Sequence, residues 1–189
     1  MIAYARLAMP RIGVISDTHG LVRPEALRAL AGTELIVHAG DVGAPEVLDA
    51  LRAVAPVVAV RGNNDRDAWA ASIPEIVRTE VVGCRLYVIH DLKMLAGDPA
   101  DLGVDVIISG HSHRPSVERR PEVLLLNPGS AGPRRFSLPI AVARLTLGPA
   151  GPRAEIVELA VAASPPRRAR VTGRRGLDGT GVGGAVSPP

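Results

Sequence analysis

Side chains of the types that bind metal ions follow the apolar segments of this chain at five places. In chain order, the apolar segments run into Asp17 and His19, Asp41, GNND (62–65), HD (90–91) and GHSH (110–113). Imidazole, carboxylate and amide ligands without thiolates suit manganese, iron, zinc, nickel or cobalt. The pattern therefore indicates a metal centre built from nitrogen and oxygen ligands.

Asp17 and His19 are separated by one residue at the end of the segment GVIS. Side chains two apart on an extended strand face the same side, so alternation predicts that both converge on one point. The alternative is that Asp17 caps the next helix and His19 packs nearby. Four of the five histidines lie at such segment ends, namely His19, His90, His111 and His113. This distribution favours metal binding, whereas His38 lies inside a strand and is interpreted as a core residue.

These residues require elements that deliver them to one edge of the fold. The first half alternates between predicted strands (11–16, 34–40, 56–62) and predicted helices (24–32, 45–54). The second half is mostly β, with predicted strands at 74–90 joined at Gly83, at 104–110, and in hairpins at 115–130 and 140–159. Parallel strands end at a common edge, which is where open α/β sheets bind ligands. The sequence predicts an α/β fold with two sheets face to face and helices outside.

The 189 residues are enough for one domain with a sizeable core. We expect an N-terminal extension at 1–10, with Met9 as an alternative start, a folded domain at 11–163, and a disordered tail at 164–189. The tail is rich in Arg, Gly and Pro and has no apolar periodicity.

Charge and cysteine content narrow the classes of function. The net charge is +3, but the tail carries five arginines against one aspartate, so residues 1–163 are not basic. This excludes a broad nucleic-acid surface on the domain and leaves weak contacts by the tail. A single cysteine permits no intramolecular disulfide, and no segment is long and apolar enough to cross a membrane. We expect a cytoplasmic protein.

The motifs DTH, GD, GNND, H and GHSH, in this order, resemble those of the calcineurin-like metallophosphoesterase superfamily. The segments GHSHRP and LNPGSAGPRR resemble its small bacterial and archaeal phosphodiesterase branch. The resemblance covers residues 11–159. It implies a four-layer αββα sandwich, in which two mixed β-sheets are flanked by helices.

The resemblance also implies a dinuclear metal site. One metal ion would be held by Asp17, His19 and His113, the other by Asn63, His90 and His111, with Asp41 bridging the two. Manganese is the expected metal, with nickel, iron, zinc and cobalt as alternatives. Paired cations of this kind activate water and bind phosphate oxygens. Asp41, Asn63, His90 and Asp65 are the expected catalytic residues.

The chain departs from the superfamily pattern at two positions. Asn64 stands where many members have a histidine that acts on the leaving group, and Asp65 follows it. Asp65 is therefore either the missing acid or a loop cap. Asp91 follows His90 where glycine is frequent, and it either caps a loop, crowds the site or adds an acid. Each of three arginines, Arg114, Arg134 and Arg135, either reaches the substrate phosphate or is exposed to solvent. The segment NPGS (127–130) is expected to support the site.

These observations predict a metal-dependent phosphodiesterase acting on a small phosphodiester. One alternative is a phosphomonoesterase or nucleotidase that uses the same site. Another is a non-catalytic scaffold, because a retromer subunit has this fold. Only four aromatic residues are present, Tyr4, Trp69, Tyr87 and Phe136, which argues against stacking along an extended nucleic-acid strand. A homo-oligomer is compatible with the sequence.

Overall fold

Ten strands and two α-helices make up the part of the chain that the computed structural model describes, residues 9–161. They are β1 (Arg11–Ile15), α1 (Pro24–Leu30), β2 (Leu35–His38), α2 (Pro45–Arg52), β3 (Val57–Ala59), β4 (Ile76–Val81), β5 (Cys84–Ile89), β6 (Val106–Ile108), β7 (Ser116–Arg119), β8 (Leu124–Asn127), β9 (Ala141–Gly148) and β10 (Gly151–Glu158). Three short 3-10 helices lie at Ala68–Ser72, Leu92–Met94 and Pro99–Leu102.

The strands form two mixed sheets of five. The first sheet has the order β10-β9-β1-β2-β3 and the second the order β4-β5-β6-β8-β7. In the first sheet β1, β2 and β3 are parallel, and in the second β5, β6 and β8 are parallel. Antiparallel strands flank both sets. Each sheet therefore presents the carboxyl ends of three neighbouring strands at one edge.

Alternate residues of a strand face opposite sides of its sheet, so the buried residues form separate layers. Residues such as Val14, Val37, Val88 and Ile108 are fully buried between the two sheets. On the outer face of the first sheet, Ile36 packs with apolar residues of α1 and α2. Both helices begin at a proline, which is pre-organised for the first helical position.

The outer face of the second sheet has a thinner cover than the first. Tyr87, Ile107 and Leu125 pack there against Leu92 and Leu102, which belong to two of the 3-10 helices. The four-layer sandwich is confirmed, with 3-10 turns in place of α-helices in its fourth layer. Gly97, Pro99 and Gly103 interrupt residues 92–103, which leaves no uninterrupted run for an α-helix.

The described residues begin within the predicted N-terminal extension. The carbonyl of Pro10 accepts a hydrogen bond from the backbone N–H of Leu147, so Pro10 already lies alongside β9. Residues 1–8 and the predicted tail at 164–189 lie outside the described residues. Between residues 9 and 161, none of the helices has the length and apolar character needed to cross a membrane.

Candidate metal centre

Five of the predicted metal ligands have a left-handed backbone. Seven non-glycine residues between 9 and 161 have positive φ, and five of them are Asp17 (54°), His19 (48°), Asp41 (53°), His111 (65°) and His113 (58°). This conformation is uncommon outside glycine and is concentrated at functional sites. The chain thus turns sharply just beyond β1, β2 and β6, and these turns aim the side chains.

The turns replace the strand alternation that was predicted to orient Asp17 and His19. That explanation is wrong, because β1 ends at Ile15 and both residues lie in the loop beyond it. The backbone N–H of Asp17 donates to the carbonyl of Gly40, and that of His19 donates to the carbonyl of Asp41. These hydrogen bonds fix the loop after β1 against the loop after β2.

The first ligand group consists of Asp17, His19 and His113, whose ligand atoms all lie within 4.8 Å of one another. Nε2 of His113 is 3.3 Å from Oδ1 of Asp17 and 3.4 Å from Nε2 of His19. Oδ1 of Asp17 is buried and has no hydrogen-bond partner among the described residues. A buried carboxylate oxygen without a donor is strongly unfavourable unless a cation balances it. These three residues therefore fit a divalent metal ion.

The second ligand group surrounds the side-chain oxygen of Asn63. Oδ1 of Asn63 is 3.2 Å from Nε2 of His90 and 2.9 Å from Nδ1 of His111. Nδ1 of His90 donates to the carbonyl of Ala39 at 2.7 Å, which directs its Nε2 into the site. Oδ2 of Asp91 lies 3.6 Å from Nε2 of His111, on the far side of that ring.

Asp41 lies between the two groups. Its Oδ2 is 3.9 Å from Nε2 of His19, and its Oδ1 is 3.5 Å from Nε2 of His90. Asn64 holds this carboxylate, because its backbone N–H donates to Oδ1 at 2.9 Å and its amide donates to Oδ2 at 2.5 Å. Asp17 also has a carboxylate oxygen within 4.8 Å of ligand atoms of Asp41 and His90. Both carboxylates therefore lie close to residues of both ligand groups.

The pKa values in the site reflect burial opposed by local contacts. Burial raises the pKa of Asp17 to about 6 and lowers the pKa of His113 to about 4. Burial also opposes the charge on Asp41, but hydrogen bonds from His90 and Asn64 hold its pKa below the usual range. A histidine that stays neutral at pH 7 keeps its lone pair for a metal. The charge of Asp17 favours a bound cation.

Two glycines leave room for the carboxylates. A Cβ at Gly62 would lie 2.1 Å from Oδ1 of Asp41, and a Cβ at Gly110 would lie 1.9 Å from Oγ of Ser16 and 2.8 Å from Oδ2 of Asp17. No side chain can occupy such positions without displacing these groups.

Several residues hold the ligand loops in place. Ser16, which sequence reasoning missed, donates to Oδ2 of Asp17 at 2.7 Å. From the NPGS segment, Asn127 donates to the carbonyl of Gly110 at 2.7 Å, and Ser130 donates to the carbonyl of Asp17 at 2.9 Å. Both residues of this segment thus contact the loops that carry predicted ligands, which agrees with the supporting role expected for it. A serine at the end of a buried apolar strand was the available signal for Ser16.

Asp65, predicted among the catalytic residues, is placed as a loop cap. Its carboxylate accepts the backbone N–H groups of Val42 (3.0 Å), Gly43 (2.8 Å) and Gly62 (2.9 Å). The side chain is buried and both oxygens are used within the protein. This geometry favours the capping interpretation over a role as the missing acid.

His38 and the arginines complete the set. His38 is fully buried between the N–H of Gly40 and the hydroxyl of Thr18, in the core position expected for it. Nη2 of Arg135 is 3.3 Å from Nε2 of His19, so this arginine reaches the first ligand group. Arg134 instead donates to the carbonyl of Leu138, and Arg114 is exposed.

The ligands come from both sheets. Those that follow strands of the first sheet are Asp17, His19, Asp41 and Asn63, and those that follow strands of the second are His90, His111 and His113. The loops meet across the sandwich, where the backbone N–H of His111 donates to Oδ2 of Asp17 at 3.0 Å.

Sequence comparison identifies relatives with known family membership. A probable metallophosphoesterase of Methanothermobacter thermautotrophicus is 40% identical over 140 residues, which cover 68% of this chain and 81% of that protein. A phosphodiesterase of Methanocaldococcus jannaschii is 27% identical over 138 residues, covering 63% of this chain and 82% of that protein.

Structural comparison agrees with the sequence. The solved structure of an archaeal phosphodiesterase aligns with a TM-score of 0.63 at 23% identity, covering 78% of this chain and 99% of that one. The sequence profile of the calcineurin-like phosphoesterase superfamily domain matches residues 10–148, which include all seven predicted ligands. The chain therefore belongs to the calcineurin-like phosphoesterase superfamily.

Proposed function

We propose that the protein is a metal-dependent phosphodiesterase that hydrolyses a small phosphodiester. The observation that carries this proposal is the convergence of six predicted ligand side chains into two groups, with Asp41 between them and a buried oxygen of Asp17 left without a donor among the described residues. The phosphodiesterase among the relatives supports a diester as the substrate.

The residues fit two divalent cations. Asp17, His19 and His113 would hold one, Asn63, His90 and His111 the other, and Asp41 would contact both. Manganese is the proposed metal, because the ligands are hard or intermediate donors without sulfur. When bound, such a pair supplies an activated water and neutralises charge on the phosphate oxygens.

The protein's own residues set the geometry for this chemistry. The hydrogen bond from Nδ1 of His90 to Ala39 fixes the ring, and Asn64 fixes both oxygens of Asp41. Asn63 contributes a neutral oxygen, which leaves its metal ion more electrophilic than a third carboxylate would. Rigid orientation of this kind lowers the reorganisation needed in the transition state.

The proposed setting is the cytoplasm, since the single cysteine cannot form an intramolecular disulfide.

Turnover by metal-stripped protein tests the proposal. Mn²⁺, Ni²⁺, Zn²⁺ or Mg²⁺ is added back, and 4-nitrophenolate release is measured from bis(4-nitrophenyl) phosphate and from 4-nitrophenyl phosphate. We expect metal-dependent turnover with a higher kcat/KM for the diester. A higher kcat/KM for the monoester would instead indicate a phosphomonoesterase. Absence of turnover with both, together with no specific metal by elemental analysis, would indicate a scaffold.

A further inference from the structure

The turn Arg135–Leu138, called here the mouth turn, lies beside the first ligand group. The backbone N–H of Leu138 donates to the carbonyl of Arg135 at 3.2 Å and closes the turn. The turn begins three residues after Gly132, where an added Cβ would overlap the carbonyl oxygens of Asp17 and Thr18. The mouth turn is therefore anchored close to the loop that carries Asp17 and His19.

Phe136 occupies the second position of the mouth turn, and neither packing nor backbone preference explains it. It is the only phenylalanine of the chain, its side chain is 92% exposed, and its φ is 53°. Between residues 9 and 161, one other residue has positive φ and is neither a glycine nor a predicted ligand. It is Val82, in the tight hairpin turn between β4 and β5. A bulky residue in this conformation is strained, and its exposed ring adds almost nothing to the folded core, so the ring is available to a bound molecule.

Arg135 supplies a cation at the same mouth. Its Nη2 is 3.3 Å from Nε2 of His19, and that Nε2 lies 3.9 Å from Oδ2 of Asp41. Nε2 of His19 has one lone pair, which cannot serve both a metal ion and Arg135. With His19 used as a ligand, the guanidinium keeps donors that match the oxygens of a phosphate.

We infer that the mouth turn recognises the substrate, with Arg135 binding a non-bridging phosphate oxygen and Phe136 stacking on an aromatic ring of the ester group that is not the leaving group. The substrate class is then a small phosphodiester that carries a nucleoside or another aromatic group. A single exposed ring stacks one base, which fits a small diester and not an extended strand. This inference rests on the proposed phosphodiesterase function.

Two substrates with a common leaving group test the role of Phe136 in the Mn²⁺-loaded full chain. Thymidine 5′-(4-nitrophenyl phosphate) and methyl 4-nitrophenyl phosphate both release 4-nitrophenolate, and only the first retains a base. We expect Phe136→Ala to raise KM for the thymidine ester about tenfold, and more than for the methyl ester. Phe136→Leu keeps the strain and apolar character without the ring and should behave like Phe136→Ala, whereas Phe136→Trp should retain the wild-type KM.

Val82→Ala is the matched control. Val82 is also exposed and also has positive φ, but it lies at the start of β5, at the opposite end of that strand from His90. This variant should leave KM for both esters unchanged. Arg135→Gln should raise KM for both esters by about tenfold or more, and Arg135→Lys should recover part of the loss.

Calorimetry separates failure of this inference from failure of the proposed function. We expect the wild-type Mn²⁺-loaded protein to bind thymidine 5′-monophosphate about tenfold more tightly than inorganic phosphate, and Phe136→Ala to remove that preference. Absence of turnover with both diesters would refute the phosphodiesterase, while the titrations would still test the mouth turn. Normal turnover with KM and Kd unchanged in both the Phe136→Ala and Arg135→Gln variants would overturn the inference alone.

Discussion

Oδ1 of Asp17 lies 3.3 Å from Nε2 of His113, is buried, and accepts no hydrogen bond from any residue between 9 and 161. The metal-free protein therefore contains a destabilising carboxylate at its centre. Burial raises the pKa of this group to about 6 from the ordinary 3.8. Between these two pH values the folded chain binds a proton that the unfolded chain releases, so metal-free stability falls as pH rises from about 4 to about 6.

Asp17→Asn should therefore stabilise the metal-free protein at neutral pH. The amide oxygen can keep the hydrogen bonds from Ser16 and His111, while the charge is removed. We expect a melting temperature higher by about 5 °C at pH 7.5, with the difference narrowing towards pH 4. Added Mn²⁺ should raise the melting temperature of the wild type and not that of the variant. A variant that melts below the wild type at pH 7.5 without metal would contradict this account.

Asp41→Asn should weaken metal binding and turnover together. Asp41 lies 3.9 Å from Nε2 of His19 and 3.5 Å from Nε2 of His90, so its charge acts on both metal positions. Without that charge, repulsion between two cations is less compensated, and we expect kcat to fall by about a thousandfold, or about 4 kcal/mol. Elemental analysis should show fewer than two metals per chain. Retention of both metals and near-normal kcat would remove Asp41 from the bridging position.

Asp65→Asn should affect stability more than chemistry. The amide oxygen can accept from at most two of the three backbone N–H groups that the carboxylate now binds. The amide NH₂ would then face the N–H group that remains. We expect a loss of about 2 kcal/mol, seen as a melting temperature lower by about 5 °C. The kcat of folded, metal-loaded variant should stay within a few-fold of the wild type. A fall of more than about a hundredfold with metals retained would identify Asp65 as the missing acid.

Gly110→Ala should weaken metal binding at the first ligand group. The added Cβ would meet Oγ of Ser16 at 1.9 Å and Oδ2 of Asp17 at 2.8 Å, which forces the carboxylate out of place. Gly97→Ala is the control, because nothing lies within 4 Å of its Cβ position, although an alanine at its φ of 86° would be strained. Calorimetric titration with Mn²⁺ should show weakened binding for the first variant only. Equal affinities in both variants would mean that space at Gly110 does not matter for the site.

The positions of the strands along the chain and the convergence of their ends could be predicted from the sequence. Apolar segments such as VIIS (106–109) and LYVIH (86–90) were recognisable as buried strands, and each has a polar motif directly after it. The prediction of the thin fourth layer was less complete, because residues 92–102 carry too weak a periodicity to distinguish 3-10 turns from helices.

The means of aiming the ligands could not be predicted. Strand alternation was the natural explanation for Asp17 and His19, but their left-handed backbone depends on contacts with residues 40 and 41, which are remote in sequence. The same holds for Asn64, whose two hydrogen bonds to Asp41 depend on how the loops after β2 and β3 meet. Residue types identify ligands, whereas the residues that orient them are identified only by tertiary contacts.

Because the predicted ligands follow strands of both sheets, the candidate metal centre needs both halves of the chain. A cut between Asn63 and β4 would separate His113 from the rest of the first ligand group. The same cut would separate Asn63 from His90 and His111 of the second group. Within the described residues 9–161, neither half alone carries a complete ligand group, so the candidate centre depends on the whole sandwich. Metal uptake by two separately produced halves would therefore report that the sandwich had reassembled.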